Sequence, residues 1–219
     1  MAARAEDMKA TLLVYQDVER GTEPFITRIM VTDTQMRMDY GADTDDFVLV
    51  DLAGNTLSNV IHDSQRAMMI DLRPVTGPSP LILNLEVKPG ESADMPEVAG
   101  VQPEHHQFLV NGKVCEQRIS LPGLFPEAVR AMGLFKRILA GQRAATVDAT
   151  PVEMLDACDL ALLTFHPEAG FKKGLPLRVW DQQGRLRQLV DFKADAPVDP
   201  ALFTIPEGYA PFRISPTDS

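Results

Sequence analysis

The chain has 219 residues, 45% of them hydrophobic and 24% charged, the composition of a globular domain long enough to bury one large core. Its net charge is −10 with no block of like charges, so no Lys/Arg stripe is available to neutralise phosphates, and nucleic acid and anionic lipid headgroups are poor partners. No apolar run reaches the length that crosses a membrane, so the chain is not expected to span one.

At the N-terminus, Ala3-Arg4-Ala5 has the small-x-small form of a signal-peptidase site, without the charged and apolar stretches that precede one. Two readings stay open: Met1 stands in place of a removed signal peptide, or the triplet is chance. From Lys9 to Val87 the pattern is a meander of strands at Lys9–Val18, Phe25–Val31, Met36–Tyr40, Phe47–Val50, Leu57–His62, Ala67–Leu72 and Leu81–Val87. Apolar residues alternate with polar ones in these runs, as on a half-buried antiparallel strand. The links are short and turn-like, which forces neighbouring strands to be antiparallel. Lys88–Pro103, rich in Pro, Gly, Glu and Ala, reads as a loop. His106–Val110 and Lys113–Ile119 then flank Asn111-Gly112, the sequence of a tight hairpin.

The period changes after Ile119. Val129, Met132, Phe135, Ile138 and Leu139 have helical spacing, with Pro126 in the first turn and Gly141 placed as a C-cap. Thr150 and Glu153 form a capping box around Pro151 and open a second helix, whose stripe is Leu155, Cys158, Leu162 and Phe165. Strands resume at Leu177–Asp181 and Arg185–Phe192, and a Pro-rich tail follows. Strands, then two helices, then strands predict an α+β fold: a curled antiparallel sheet with the helices packed on its concave face. The whole of 1–219 reads as one domain with a helical insert at about 122–166.

Little in the chain carries catalytic chemistry. There is no GxSxG, P-loop or GxGxxG, so no catalytic residue is assigned and an enzyme is not expected. His62, His105, His106 and His166 form no i, i+4 pair, and the two cysteines are isolated, so no metal or cofactor is expected. Asp43-Thr44-Asp45-Asp46 lacks the glycine and glutamate that complete a calcium loop and reads as a solvated turn. Cys158 lies in the apolar stripe of its helix and Cys115 on a strand face with Ile119, so a helix laid on the sheet can bring them into a disulfide. Two buried reduced thiols are the alternative.

Met30, Met36, Met38, Met68 and Met69 concentrate in the meander. Methionine is soft and adaptable, and serves both as core filler and as the lining of apolar binding surfaces. If the concave face is a binding surface, its lining is Met36, Met38, Phe47, Leu49, Met68 and Ile70 from the sheet, closed by Met132, Phe135 and Leu162 from the helices.

Several segments carry a family likeness: Leu12-Leu13-Val14-Tyr15, Thr27-Arg28-Ile29 with Met36-Arg37-Met38-Asp39, and Asp46-Phe47-Val48-Leu49-Val50-Asp51. Near the end come Gly174-Leu175-Pro176-Leu177 and Leu202-Phe203-Thr204-Ile205-Pro206-Glu207-Gly208-Tyr209. In these the chain resembles the LolA-like superfamily, the fold of periplasmic lipoprotein carriers and related lipid-binding lipoproteins, and more narrowly uncharacterised proteobacterial proteins of that type. The resemblance implies an unclosed β-barrel with helices on its concave side, a periplasmic location, and an apolar ligand such as a lipid, an acyl chain or a lipoprotein. It carries no functional residues onto this chain. The alternative function is an interaction protein with a filled barrel, no small-molecule ligand, and loops that bind another envelope protein.

Overall fold

A computed structural model of the chain describes residues 8–41, 46–91, 95–147 and 149–213. The Ala3-Arg4-Ala5 triplet and the acidic turn residues Asp43, Thr44 and Asp45 lie outside them. The meander forms β1 (Met8–Val18), β2 (Phe25–Val31), β3 (Gln35–Asp39), β4 (Phe47–Asp51), β5 (Thr56–Ile61) and β6 (Arg66–Asp71), each antiparallel to the next. The predicted strand at Leu81–Val87 is displaced: β7 is Leu85–Pro89. Its first half is held instead by the Asn111 side chain, which accepts from the Asn84 amide at 2.9 Å and donates to the Ile82 carbonyl at 2.7 Å.

β8 (Glu104–Val110) and β9 (Lys113–Leu121) form the expected hairpin. Its turn residues Asn111 and Gly112 both take positive φ, 53° and 80°, which Asn and Gly tolerate and most residues do not. β10 (Leu175–Asp181) pairs with β9, and β11 (Leu186–Val198) pairs with both β10 and β1.

The result is a 12-stranded sheet in the order β12-β6-β5-β4-β3-β2-β1-β11-β10-β9-β8-β7. Its end strands do not pair with each other, so the curl stays unclosed. One strand departs from the expectation of a wholly antiparallel sheet. After β11 the chain turns through Pro200–Phe203, and β12 (Ala210–Arg213) adds to β6 in parallel. A long connection is what a parallel pair requires.

Helix α1 (Pro126–Val147) lies on one face of this sheet, against β2, β3, β5 and β10. It runs past Gly141, which is not its C-cap. A Cβ there would fall 2.6 Å from the Arg73 carbonyl oxygen, so the glycine permits a close crossing instead. The second helix is also shorter and less regular than predicted. Thr150 donates its hydroxyl to the Thr146 carbonyl at 3.0 Å, and no capping box forms with Glu153. A 3-10 turn at Val152–Met154 precedes α2 (Ala157–Asp159), capped by Asp156, whose Oδ1 accepts from the Asp159 amide at 3.0 Å. α2 runs on into a π-helical stretch, Leu160–Phe165.

Candidate functional site

Period two along each strand divides the sheet into a helix face and an outer face. On the helix face, Met36, Met38, Met68 and Ile70 share one cluster with Met132 and Phe135 of α1. They do so as packed core. Met36, Val50, Ala128 and Ile138 are all 0% exposed, and the small residues Ala128 and Ala131 let the helix sit deep in the curl.

Two predicted lining residues belong elsewhere. Val48 and Val50 point to the helix, whereas Phe47 and Leu49 face outward with Met30, Val60 and Ala67, under Phe203 of the tail. The Arg37 guanidinium lies 3.8 Å from the centre of the Phe47 ring and donates to the Leu202 carbonyl at 2.7 Å, so it fastens the tail over this face. Arg37 and Arg28 each bond Asp39 at 2.7 Å. Burial acts to raise the Asp39 carboxyl, but the two guanidiniums outweigh it and hold the group below its ordinary range. Leu162 is the third displaced residue. It packs with Val110, Leu83 and Leu85 around the cysteines. Cys115 and Cys158 are joined by a disulfide with Cα atoms 5.5 Å apart, which ties β9 to α2.

The open space lies beside the core. A cleft of about 360 Å3 separates Met95, Pro96, Val98 and Pro103 from Ile119, Leu177, Leu189, Val190 and Phe192. Its 95–103 wall is held by a small turn, in which Val98 and Val101 exchange backbone hydrogen bonds of 2.9 and 3.0 Å across Ala99 and Gly100. A second opening, of about 420 Å3, lies between Leu72–Val75, α1 and residues 164–168. The cleft is not legible in the sequence because half of its wall lies in a segment that composition marks only as loop. The apolar pair Val98 and Val101 astride a glycine was the available signal.

A third cavity, of about 270 Å3, has charged side chains on an otherwise largely apolar wall. Tyr15 donates its hydroxyl to the Pro176 carbonyl at 3.0 Å, and burial pushes its phenol well above the usual value. Arg187 grips Asp17 through two bonds of 2.6 and 2.9 Å, and Thr27 adds a third to that carboxylate at 2.6 Å.

His105 stacks on Trp180 with ring centres 5.3 Å apart, while its neighbour His106 is buried, and no three His, Cys, Asp or Glu side chains among the described residues converge as metal ligands. No helix among the described residues is long and apolar enough to cross a membrane.

No family model and no curated protein matches the chain. Among solved structures, an uncharacterized conserved protein from Thermus thermophilus is similar at 10% identity and a TM-score of 0.48, covering 95% of this chain and 92% of that one. PNGF-II in a C2 crystal form is similar at 10% identity and a TM-score of 0.45, covering 94% of this chain and 31% of that one. In a P21 form the same protein gives 9% identity, a TM-score of 0.43, and coverage of 94% and 32%.

Proposed function

We propose that this chain is a LolA-like binding or carrier protein for an apolar ligand, an acyl chain of a lipid or lipoprotein, working in the periplasm. The observation that carries the reading is the cleft of about 360 Å3 beside the 95–103 segment, with apolar side chains on both walls. A few hundred Å3 is the size of a small-molecule site, and a mostly apolar lining favours an apolar guest. The ligand is therefore assigned to this cleft and not to the methionine face, which the helix occupies. The disulfide accords with an oxidising compartment.

A second reading draws on the filled core. With Met36 and Ile138 wholly buried, the curl is occupied by its own helix, as in an envelope interaction protein with no small-molecule ligand. One experiment separates the two. Protein purified from its own envelope is examined by native mass spectrometry and lipid extraction, then titrated with a fluorescent fatty acid. The carrier reading expects a bound apolar molecule or saturable probe binding. It also expects Val190→Asp to weaken the probe by about ten-fold or more, because Val190 lines the cleft and is exposed enough for the variant to fold. If neither the purified protein nor the probe shows binding, the interaction reading takes its place.

A further inference from the structure

The charged cavity contains one cation that no carboxylate contacts. Four cations line it (Arg118, Lys136, Arg185 and Arg187), together with the carboxylates of Asp17, Glu19, Glu116 and Asp181. Arg187 is matched to Asp17, and Arg185 to Asp181 at 2.5 Å. Glu19 is exposed. Arg118 directs both Nε and Nη2 at a single oxygen of Glu116, at 3.1 and 2.7 Å.

Two donor groups are left over. Nη1 of Arg118 is buried with no hydrogen-bond partner, on a side chain only 10% exposed. Lys136 makes no hydrogen bond or ion pair among the described residues; Glu116 acts on its ammonium without contact, and the Phe135 ring lies 5.9 Å away. A buried guanidinium N–H without an acceptor is unfavourable, and an unpaired ammonium beside other cations adds to that.

The guanidinium is also held in place. Rings of Phe171 and Phe108 lie 5.2 and 5.7 Å from it, and a Cβ on Gly170 would overlap its central carbon, so only glycine admits it there. The remaining wall is apolar: Met132, one helical turn from Lys136, with Leu163, Val179 and Leu186.

We infer that this cavity is a binding site for a small carboxylate with an apolar body, held by Nζ of Lys136 on the wall that also carries Arg118. The charge count selects the class. Of the four cations only Lys136 has no carboxylate in contact, which a monoanion supplies, whereas a phosphate dianion would bury a negative charge without a partner. The Lys136 ammonium suits the carboxylate, and the apolar wall suits its body. The site is separate from the apolar cleft and does not rest on the acyl-ligand reading.

Trp180, the chain's one tryptophan, lines the cavity, so its fluorescence reports occupancy. The disulfide-intact full chain is titrated with octanoate, octanol and inorganic phosphate at neutral pH. Octanoate is expected to saturate, with octanol and phosphate each weaker by about ten-fold or more. Lys136→Met, and independently Lys136→Gln, should weaken octanoate by about ten-fold while leaving octanol unchanged. Val190→Asp, in the apolar cleft, should leave octanoate binding intact. The inference falls if octanoate does not saturate, if octanol or phosphate binds as well, or if a folded Lys136 variant binds octanoate like the parent. Loss of octanoate binding in Val190→Asp but not in Lys136→Met would place the acid in the cleft, and would overturn this site while sparing the apolar-ligand reading.

Discussion

Helix α1 meets two unlike surfaces. Over β2 to β6 it covers Ile29, Val31, Met36, Val50, Leu57 and Ile70, a wholly apolar set of buried side chains. Toward β1, β9 and β11 it faces Tyr15, Asp17, Glu116, Arg118 and Arg187 across the cavity of about 270 Å3. Both surfaces bury residues of the same helix, so the difference lies in the sheet. Where facing side chains are apolar they interdigitate to crystal-like density. Where they are charged, most keep a partner, and the space beside them stays unfilled. The methionine-rich half is thus the more tightly filled part, and the charged half is where the proposed carboxylate site lies.

The largest test of this division is the disulfide, which fastens α2 beside the charged half. It closes a sequence separation of 43 residues. Chain entropy for such a loop amounts to about 4 kcal/mol. The Cys115→Ser, Cys158→Ser double variant should lose stability on that scale, read from its urea midpoint. An unchanged midpoint would mean that packing alone holds the helical segment against the sheet.

Next comes the filled half. Met36→Ala should cost about 2–5 kcal/mol in denaturant unfolding, because Met36 is 0% exposed and its neighbours can close only part of the void. Octanoate and fatty-acid binding should not change. A folded Met36→Ala variant with altered binding would return the ligand to the methionine face and erase the distinction between the halves.

The charged half answers to a smaller change. Asp17→Asn leaves Arg187 facing a neutral partner. Arg187 is 33% exposed, so water offsets part of the loss, and about 2 kcal/mol is expected, below the range for a fully buried pair. The variant should also bind octanoate more tightly than the parent, since it adds a second uncompensated cation to the cavity wall. Weaker octanoate binding would show that Asp17 orders the site instead of balancing its charge.

Most strands were legible from alternation, and β2 matches its predicted span of Phe25–Val31. Faces were legible only where alternation is clean. In Phe47-Val48-Leu49-Val50 every residue is apolar because both faces of β4 are covered, one by α1 and the other by Phe203, so the pattern offered no way to choose. Gly141 obeyed the rule for a helix end, yet its role depends on the Arg73 backbone crossing there. β12 has the short, Pro-containing sequence Ala-Pro-Phe-Arg, which no period distinguishes from a tail. The charged cavity was the least legible of all. Asp17 and Arg187 are 170 positions apart, as Tyr15 and Pro176 are 161, and each looks alone like an ordinary strand residue. Their meaning arises only when β1 joins β10 and β11 across the sheet.

Lys136 gives the finest test, because it is a charge that the fold disfavours. Burial first, and Arg187 second, push its ammonium down from 10.5 to about 8; Arg118 and Arg143 act the same way and Glu116 opposes them. Below about pH 8 the folded and unfolded chains both carry the proton, and the fold bears the whole penalty. Between about 8 and 10.5 the folded chain releases it while the unfolded chain keeps it, so this group makes stability rise with pH. Tyr15 confines the usable window. Its phenol is raised by burial, so above its ordinary value of 10.0 the unfolded chain ionises first and stability falls. His106, lowered by burial, titrates beneath the window, and Arg185 and Arg187, raised by their carboxylates against the pull of burial, titrate above it. The comparison is therefore parent against Lys136→Met between neutral pH and about 9.5, followed by denaturant unfolding. At neutral pH the variant should be the more stable by about 1–2 kcal/mol, less than the full shift because the side chain keeps some access to water. That advantage should shrink toward zero at the alkaline end, and octanoate affinity of the parent should decline over the same range as the ammonium is lost. A constant difference between the two proteins would mean that Lys136 is fully hydrated, and the charged half would then hold no stored affinity for an anion.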